Sequence, residues 1–130
     1  MKLILVHGVF DLLHPGHIEH LRQASKFGDT LLVSVVADAF LQKGRPCTFT
    51  QGERMEMLAA CRYVQGVKLC EAPGPEALLR RLRPDVYVRG SEYIAQDKPE
   101  YAVVKELGIA VGFTAPIALH TTDILLRKPS

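Results

Sequence analysis

Tryptophan is absent from this chain, cysteine occurs three times, and aromatic residues fill only 7% of the 130 positions. The cysteines, Cys47, Cys61 and Cys70, are odd in number and stand at no metal or redox spacing, which argues against a disulfide framework and a thiolate metal site. No apolar run is long enough to span a bilayer. Neither a basic leader nor a cleavable hydrophobic segment precedes the first apolar run, so a reducing, cytoplasmic setting is expected. A strong excess of either charge is missing too. Sixteen basic residues against fourteen acidic ones leave a formal charge of +2. So small an excess argues against nucleic acid or a membrane surface as partner, yet allows a locally basic pocket for an anionic small molecule. What is present is ordinary for a globular domain, with 48% apolar and 23% charged residues. A chain of this length buries a real core as a single domain spanning 1–130.

The apolar pattern alternates between two periods. Continuous runs over Lys2–His7 and Thr30–Val36 suit strands buried on both faces, as in parallel sheets. Shorter runs at Val67–Cys70, Asp85–Val88 and Ile109–Phe113 make five strands in all. Between them lie helical patterns from Pro15, with Gly28 as C-cap, and over Gln51–Tyr63, Pro75–Leu82 and Lys98–Leu107, followed by a terminal helix at Thr121–Arg127. Residues 41–51, with Gly44 and Pro46, read as a loop. Strand and helix alternating in this way predict an α/β fold with a Rossmann-like, doubly wound, five-stranded parallel sheet. Such sheets take ligands at the carboxyl ends of their strands, where the informative motifs fall.

The first of these motifs follows strand one. Gly8-Val9-Phe10-Asp11 is a turn, and His14-Pro15-Gly16-His17 opens a helix. Pro15 suits a first turn, where its missing N–H loses nothing. A helix start offers unpaired N–H groups and the positive end of the helix dipole to an anion. His14 and His17, three residues apart, add imidazole donors on one side of it. The pattern suggests a site that handles the phosphates of a nucleotide.

Gly8 to His17 also resembles the hallmark of the cytidylyltransferase-like nucleotidyltransferase superfamily, and the resemblance extends along essentially the whole chain. Leu41-Gln42-Lys43, Glu53-Arg54 and Arg62-Tyr63-Val64 are similar to segments of glycerol-3-phosphate cytidylyltransferases. So are Pro84 to Tyr93 and His120-Thr121-Thr122-Asp123-Ile124. Gly44-Arg45-Pro46 and the surroundings of Gly90 resemble the nucleotidyltransferase half of ADP-heptose synthases. The match is incomplete where glycerol-phosphate enzymes carry an arginine and a serine, since this chain has Ala115 and His120.

The resemblance implies transfer of a nucleotidyl group from a nucleoside triphosphate to a phosphorylated small molecule, with release of pyrophosphate. Its main form is CMP transfer from CTP to a phosphorylated alcohol, sugar or phosphonate. The alternative is AMP transfer from ATP to a heptose phosphate or flavin mononucleotide. His14, His17, Lys43 and Arg54 are the implied catalytic residues, with Lys43 bridging phosphates and Arg54 clamping the leaving pyrophosphate. Gly8, Val9, Phe10, Gly16, Arg89, Gly90, Glu92, Tyr93, Thr121 and Thr122 are implied in nucleotide binding, Tyr93 by stacking on the base. Asp11, Asp38, Arg45 and His120 are candidates on the acceptor side. Magnesium is expected on the triphosphate, held by phosphate and water with few protein ligands. A homodimer is implied as well.

Blander roles compete for several of these residues. Asp11 suits bracing of its turn, and Phe10 suits packing beneath the loop with only its backbone toward a ligand. Arg54 has Glu53 and Glu56 as possible partners on a solvated helix face. Asp38 serves either a ribose or the Lys43 loop. His7 and His20 read as structural, Cys61 and Cys70 as core, and Arg80, Arg81 and Arg83 as an exposed face. Two other function classes stand beside the transferase. A silent nucleotide sensor needs fewer such groups than the chain retains, and a metal hydrolase lacks an evident third ligand.

Overall fold

A computed structural model describes residues 1–41, 47–94 and 97–116, with the side chain of Glu92 also outside the description. Five parallel strands form one sheet: β1 (Leu3–Gly8), β2 (Thr30–Val36), β3 (Gly66–Cys70), β4 (Val86–Gly90) and β5 (Ala110–Thr114). Their order across the sheet is β3-β2-β1-β4-β5. The chain therefore steps outward from β1 to β3, then crosses back to lay β4 against the free side of β1. The crevice between the carboxyl ends of β1 and β4 is the switch point at which such sheets bind ligands.

Four helices cover the sheet: α1 (Pro15–Ser25), α2 (Gln51–Ala59), α3 (Glu76–Leu82) and α4 (Pro99–Leu107). Period-two alternation sorts the strand residues between two cores. Ile4, Val6, Leu31, Val33, Val35, Val86 and Val88 pack with Leu21 and Ala24 of α1 and Leu58 of α2. Leu5 and Tyr87 point the other way, into a cluster with Leu78 and Leu79 of α3 and Val103 and Val104 of α4. Ile4, Leu5 and Val6 are all completely buried, which is why β1 reads as a continuous apolar run. Burying one such side chain stabilises the fold by roughly 1.5–3 kcal/mol. Among the described residues no helix is long and apolar enough to cross a membrane.

The ends of two helices differ from the sequence expectation. Helix α1 ends on Lys26, whose N–H donates to Gln23 and Ala24 carbonyls, so Gly28 is not its cap. Gly28 instead admits a close approach, since a Cβ there would lie 2.9 Å from the Lys2 carbonyl oxygen. Helix α2 stops at Ala59 rather than running to Tyr63. Tight turns closed by Cys61 N–H on Leu58 and Val64 N–H on Cys61 end it, and Gln65 then bonds Leu31 of β2 through its backbone and side chain. The expected helix at Thr121–Arg127 lies outside the described residues.

Candidate active site

The turn after β1 is shaped by close contacts. A Cβ on Gly8 would come within 2.9 Å of the Phe10 ring, so the absence of a side chain at position 8 lets that ring fold back on the strand end. Phe10 holds φ at 55°, a left-handed conformation uncommon outside glycine. Its ring is buried and meets His17 edge-on, centroids 5.6 Å apart. Asp11 is buried, and its carboxylate accepts the Phe49 N–H at 3.1 Å. The bond crosses from this turn to the segment entering α2, a bracing role.

Helix α1 then opens with a capping box built from histidines. His14, buried at the N-cap, accepts the Gly16 N–H on Nδ1 at 2.9 Å. Its own N–H donates to Nδ1 of His17 at 3.3 Å. The two rings lie 3.9 Å apart, tilted by 32°. The usual box uses Ser or Thr with Glu or Gln. α2 has that form, with Thr50 Oγ1 accepting from Glu53 N–H and Glu53 accepting from Thr50 N–H. The histidine version has a different chemical outcome. Because each Nδ1 accepts, a neutral ring carries its proton on Nε2, so each His presents an N–H donor there. Helix dipole, backbone N–H groups and two imidazole donors thus concentrate at one helix start beside the switch point.

Arg54 occupies a different place from the expected pyrophosphate clamp. It is completely buried. Nη1 donates to the Val9 carbonyl at 2.9 Å, Nε to the Phe49 carbonyl at 3.3 Å, and Nη2 to Asp38 Oδ1 at 2.7 Å. Glu53 is committed to its capping box, which is why Arg54 turns inward to Asp38 rather than pairing along its own helix. Asp38 also exchanges bonds with Gln51: its N–H donates to Gln51 Oε1 and its Oδ2 accepts the Gln51 N–H. That backbone donor and the Arg54 guanidinium hold the Asp38 carboxyl below the usual carboxylate range. Arg54 therefore ties the β1–α1 turn to both flanks of the segment between β2 and α2. This is a positioning role, and Asp38 buttresses that segment.

The other side of the crevice is built on β4. Arg89, one residue before Gly90 at the strand end, donates from Nη1 to the carbonyl of His7 in β1 at 2.9 Å. Its guanidinium carbon lies 4.0 Å from the Tyr93 ring centroid, and Lys98 Nζ lies 5.2 Å from the same centroid. Tyr93 was expected to stack on a base; its ring already carries these cations. Its backbone lies in a 3-10 turn, Ser91–Tyr93, which includes Glu92. Arg89 Nε is buried and has no hydrogen-bond partner among the described residues. His7 contacts Ser34 Oγ through Nδ1 at 3.0 Å. Burial, with the nearby Arg89 charge, pushes its pKa down to about 4. His20 contacts Thr114 at 2.8 Å, joining α1 to the end of β5.

The structure thus gathers Gly8, Val9, Phe10, Asp11, His14, Gly16, His17, Asp38 and Arg54 around the ends of β1 and β2, and Arg89, Gly90 and Tyr93 at the end of β4. Lys43, Arg45, His120, Thr121 and Thr122 lie outside the described residues. Sequence reasoning missed Gln51 and Phe49, which act through backbone and amide groups and left no signal. It also missed Lys98, which stood in the pattern only as a helix boundary. Arg80, Arg81 and Arg83 are exposed, and Arg80 pairs with Glu106.

A doubly wound parallel sheet with a donor-rich helix start at its switch point defines a nucleotide-handling α/β protein. Comparison with known proteins gives the family. Residues 5–122 match the cytidylyltransferase-like family, and the chain belongs to it, a family of nucleotidyltransferases. It is 38% identical over 129 residues to D-beta-D-heptose 1-phosphate adenylyltransferase of Bordetella bronchiseptica, covering 95% of this chain and 79% of that protein. It is 41% identical over 105 residues to the bifunctional protein HldE of Streptomyces coelicolor, covering 78% of this chain but 22% of that one. The chain thus spans about a fifth of the length of that bifunctional relative. Among solved structures, a lipopolysaccharide core biosynthesis protein from Thermoplasma volcanium superposes with a TM-score of 0.75 at 25% identity, over 92% of this chain and 99% of that one. Pantothenate synthetase from Thermus thermophilus shares the fold, with a TM-score of 0.61 at 16% identity over 95% of this chain and 58% of that one.

Proposed function

We propose that the protein transfers AMP from ATP to a sugar phosphate of the heptose 1-phosphate class and releases pyrophosphate. The observation that carries the transferase chemistry is the histidine capping box at the start of α1. The choice of AMP over CMP, which reverses the main sequence reading, is supported by the name of the relative from Bordetella bronchiseptica.

In this reading an oxygen of the acceptor phosphate attacks the α-phosphorus. A new P–O–P linkage forms, the bond from the α-phosphorus to the bridging oxygen breaks, and its electron pair leaves with pyrophosphate. No covalent enzyme intermediate is required. Catalysis then consists of alignment and charge stabilisation. The Nε2–H groups of His14 and His17 and the first N–H groups of α1 donate to phosphate oxygens whose charge grows as the bond breaks. Arg54, Asp38 and Asp11 hold the turn that presents them. Both Asp38 oxygens are engaged by Arg54 and Gln51, and one Asp11 oxygen by Phe49. These commitments suit a magnesium ion carried by nucleotide oxygens and water rather than by a protein carboxylate cage. Bound there, the ion would neutralise triphosphate charge.

The test is pyrophosphate release with ATP or CTP, magnesium and D-β-D-heptose 1-phosphate. Release with ATP, little with CTP, and a loss of roughly 100-fold or more in His17→Asn is expected. Equal or greater release with CTP would return the reading to CMP transfer.

A further inference from the structure

We propose that His20 is a positioning residue for the transfer: its bond to Thr114 sets how the histidine-bearing start of α1 stands against the β4–β5 side of the crevice. The proposal rests on the transferase reading above and adds a residue that does not itself face the phosphates in that reading. The strand registers show why such a tie is needed. β1 and β2 stay paired as far as Gly8 and Val35, and β4 and β5 as far as Gly90 and Thr114. Between β1 and β4 the pairing ends earlier, at Val6 and Val88. The two middle strands therefore part below the turn that carries Phe10 and leads to the histidines. Backbone bonds hold each half of the sheet to its edge, and side chains hold the halves to each other across the opening.

A stripe along α1 supplies these ties. His20, Gln23 and, just past the helix end, Phe27 continue the side of the helix on which His17 stands. His20 Nδ1 lies 2.8 Å from Thr114 Oγ1. Gln23 Oε1 accepts the Ala115 N–H at 2.6 Å. Phe27 covers Gly112, where a Cβ would come within 2.6 Å of the ring. The stripe thus grips the end of β5 across the width of β4. Of the three contacts, that of His20 bears on the chemistry. Thr114 is buried and pairs with Gly90, where the Ser91–Tyr93 turn begins. His20 stands three residues, about one helical turn, after His17, whose ring belongs to the capping box. One side-chain bond therefore connects the helix presenting the His14 and His17 donors with the strand end beside Gly90. Such a bond constrains direction as well as distance, which the apolar contact of Phe27 does not. Misplacing reacting groups by about 1 Å can slow a reaction on the order of 100-fold. Loss of the tie therefore lowers turnover more than it lowers nucleotide affinity.

The experiment uses the full chain with His20→Leu, Thr114→Val, the two combined, and His20→Asn, the folded fraction of each taken from circular dichroism. Initial rates of pyrophosphate release are measured with ATP and D-β-D-heptose 1-phosphate. The expected result is a kcat per folded molecule about 10-fold lower in each single apolar variant, with the KM for ATP within about 3-fold of wild type. The double variant should fall no further than the singles, because all three remove the same bond. Asparagine keeps a polar side-chain partner for Thr114 and should recover most of the loss. Losses that multiply to about 100-fold in the double variant, unchanged turnover, a change confined to the ATP KM, or asparagine no better than leucine overturn the proposal. Amide hydrogen exchange of the ligand-free chain gives a readout independent of turnover. Thr114→Val should accelerate exchange of the Gly16 N–H, bonded to His14 Nδ1, about 10-fold, while the Glu53 N–H in the capping box of α2 stays within about 2-fold. If wild type turns over neither nucleotide, the transferase reading fails, and exchange alone decides. Acceleration confined to Gly16 sustains the tie; equal acceleration at both amides, or none at either, overturns it.

Discussion

Two arginines stand at the carboxyl edge of the sheet, and their surroundings are opposites. Arg54 is completely buried with all three nitrogens donating to protein acceptors. Arg89 is half-buried, donates to the His7 carbonyl, and keeps a buried Nε without a partner among the described residues. The first arrangement is complete without a ligand and joins two loops. The second becomes complete only when something else accepts. Residue type and proximity to a site do not distinguish these roles; the tally of satisfied N–H groups does.

The comparison breaks most sharply under substitution. Arg54→Met is expected to lower unfolding free energy by about 3 kcal/mol, because it leaves the Val9 and Phe49 carbonyls without a donor and removes the partner of Asp38. Urea denaturation measures it. Activity of any folded fraction should fall as well, since the turn bearing His14 loses its anchor. Arg89→Met should change the same unfolding free energy by no more than about 1 kcal/mol, because one lost bond to His7 is offset by removing an unsatisfied buried donor. If the two substitutions destabilise equally, the distinction between them is wrong.

A pH profile sharpens the same contrast through His7. Its folded pKa of about 4 lies below the ordinary value of 6.5, so the unfolded chain binds the proton more readily. The stabilising contribution is full above pH 6.5 and is lost as pH falls toward 4, with a slope of at most about 1.4 kcal/mol per pH unit. His7→Asn should flatten this part of the profile. Arg89→Gln should move its lower edge upward, since Arg89 contributes to the depression after burial. Asp38 gives a smaller effect at more acidic pH: its carboxyl is held low by Gln51 and Arg54, so its contribution disappears only as pH falls through that lowered value. Asp38→Asn should remove it from the same titration.

Much of the fold was legible in the residues. β2 falls on Thr30–Val36, as its apolar run indicates, because both faces of that strand are covered and its one internal polar residue, Ser34, is itself buried. The end of α2 was not legible, because the turns at Cys61 and Val64 depend on where Gln65 must meet β2. In the site, Gly8, Phe10 and the two histidines carry strong local signals: a close approach, a turn and a helix start. Arg54 carried a misleading one. Its position at the start of α2 looks solvated in sequence, and only the tertiary return of the β1–α1 turn supplies the acceptors that draw it inward. Nothing local in the sequence records that the Arg89 and Lys98 cations meet at the Tyr93 ring.

The histidine capping box of α1 has a consequence for how genetic dissection of this protein is interpreted. In most active sites the group that reacts and the group that supports the backbone are different residues, so deletion separates them. Here one nitrogen of each imidazole holds the helix start while the other carries the proton of the neutral ring. Alanine at His14 erases both duties together, and the resulting deficit has no unique owner. Asparagine can still accept from the Gly16 N–H as an N-cap while lacking the second ring nitrogen. The difference between the alanine and asparagine variants, rather than either one alone, is the quantity that reports on chemistry.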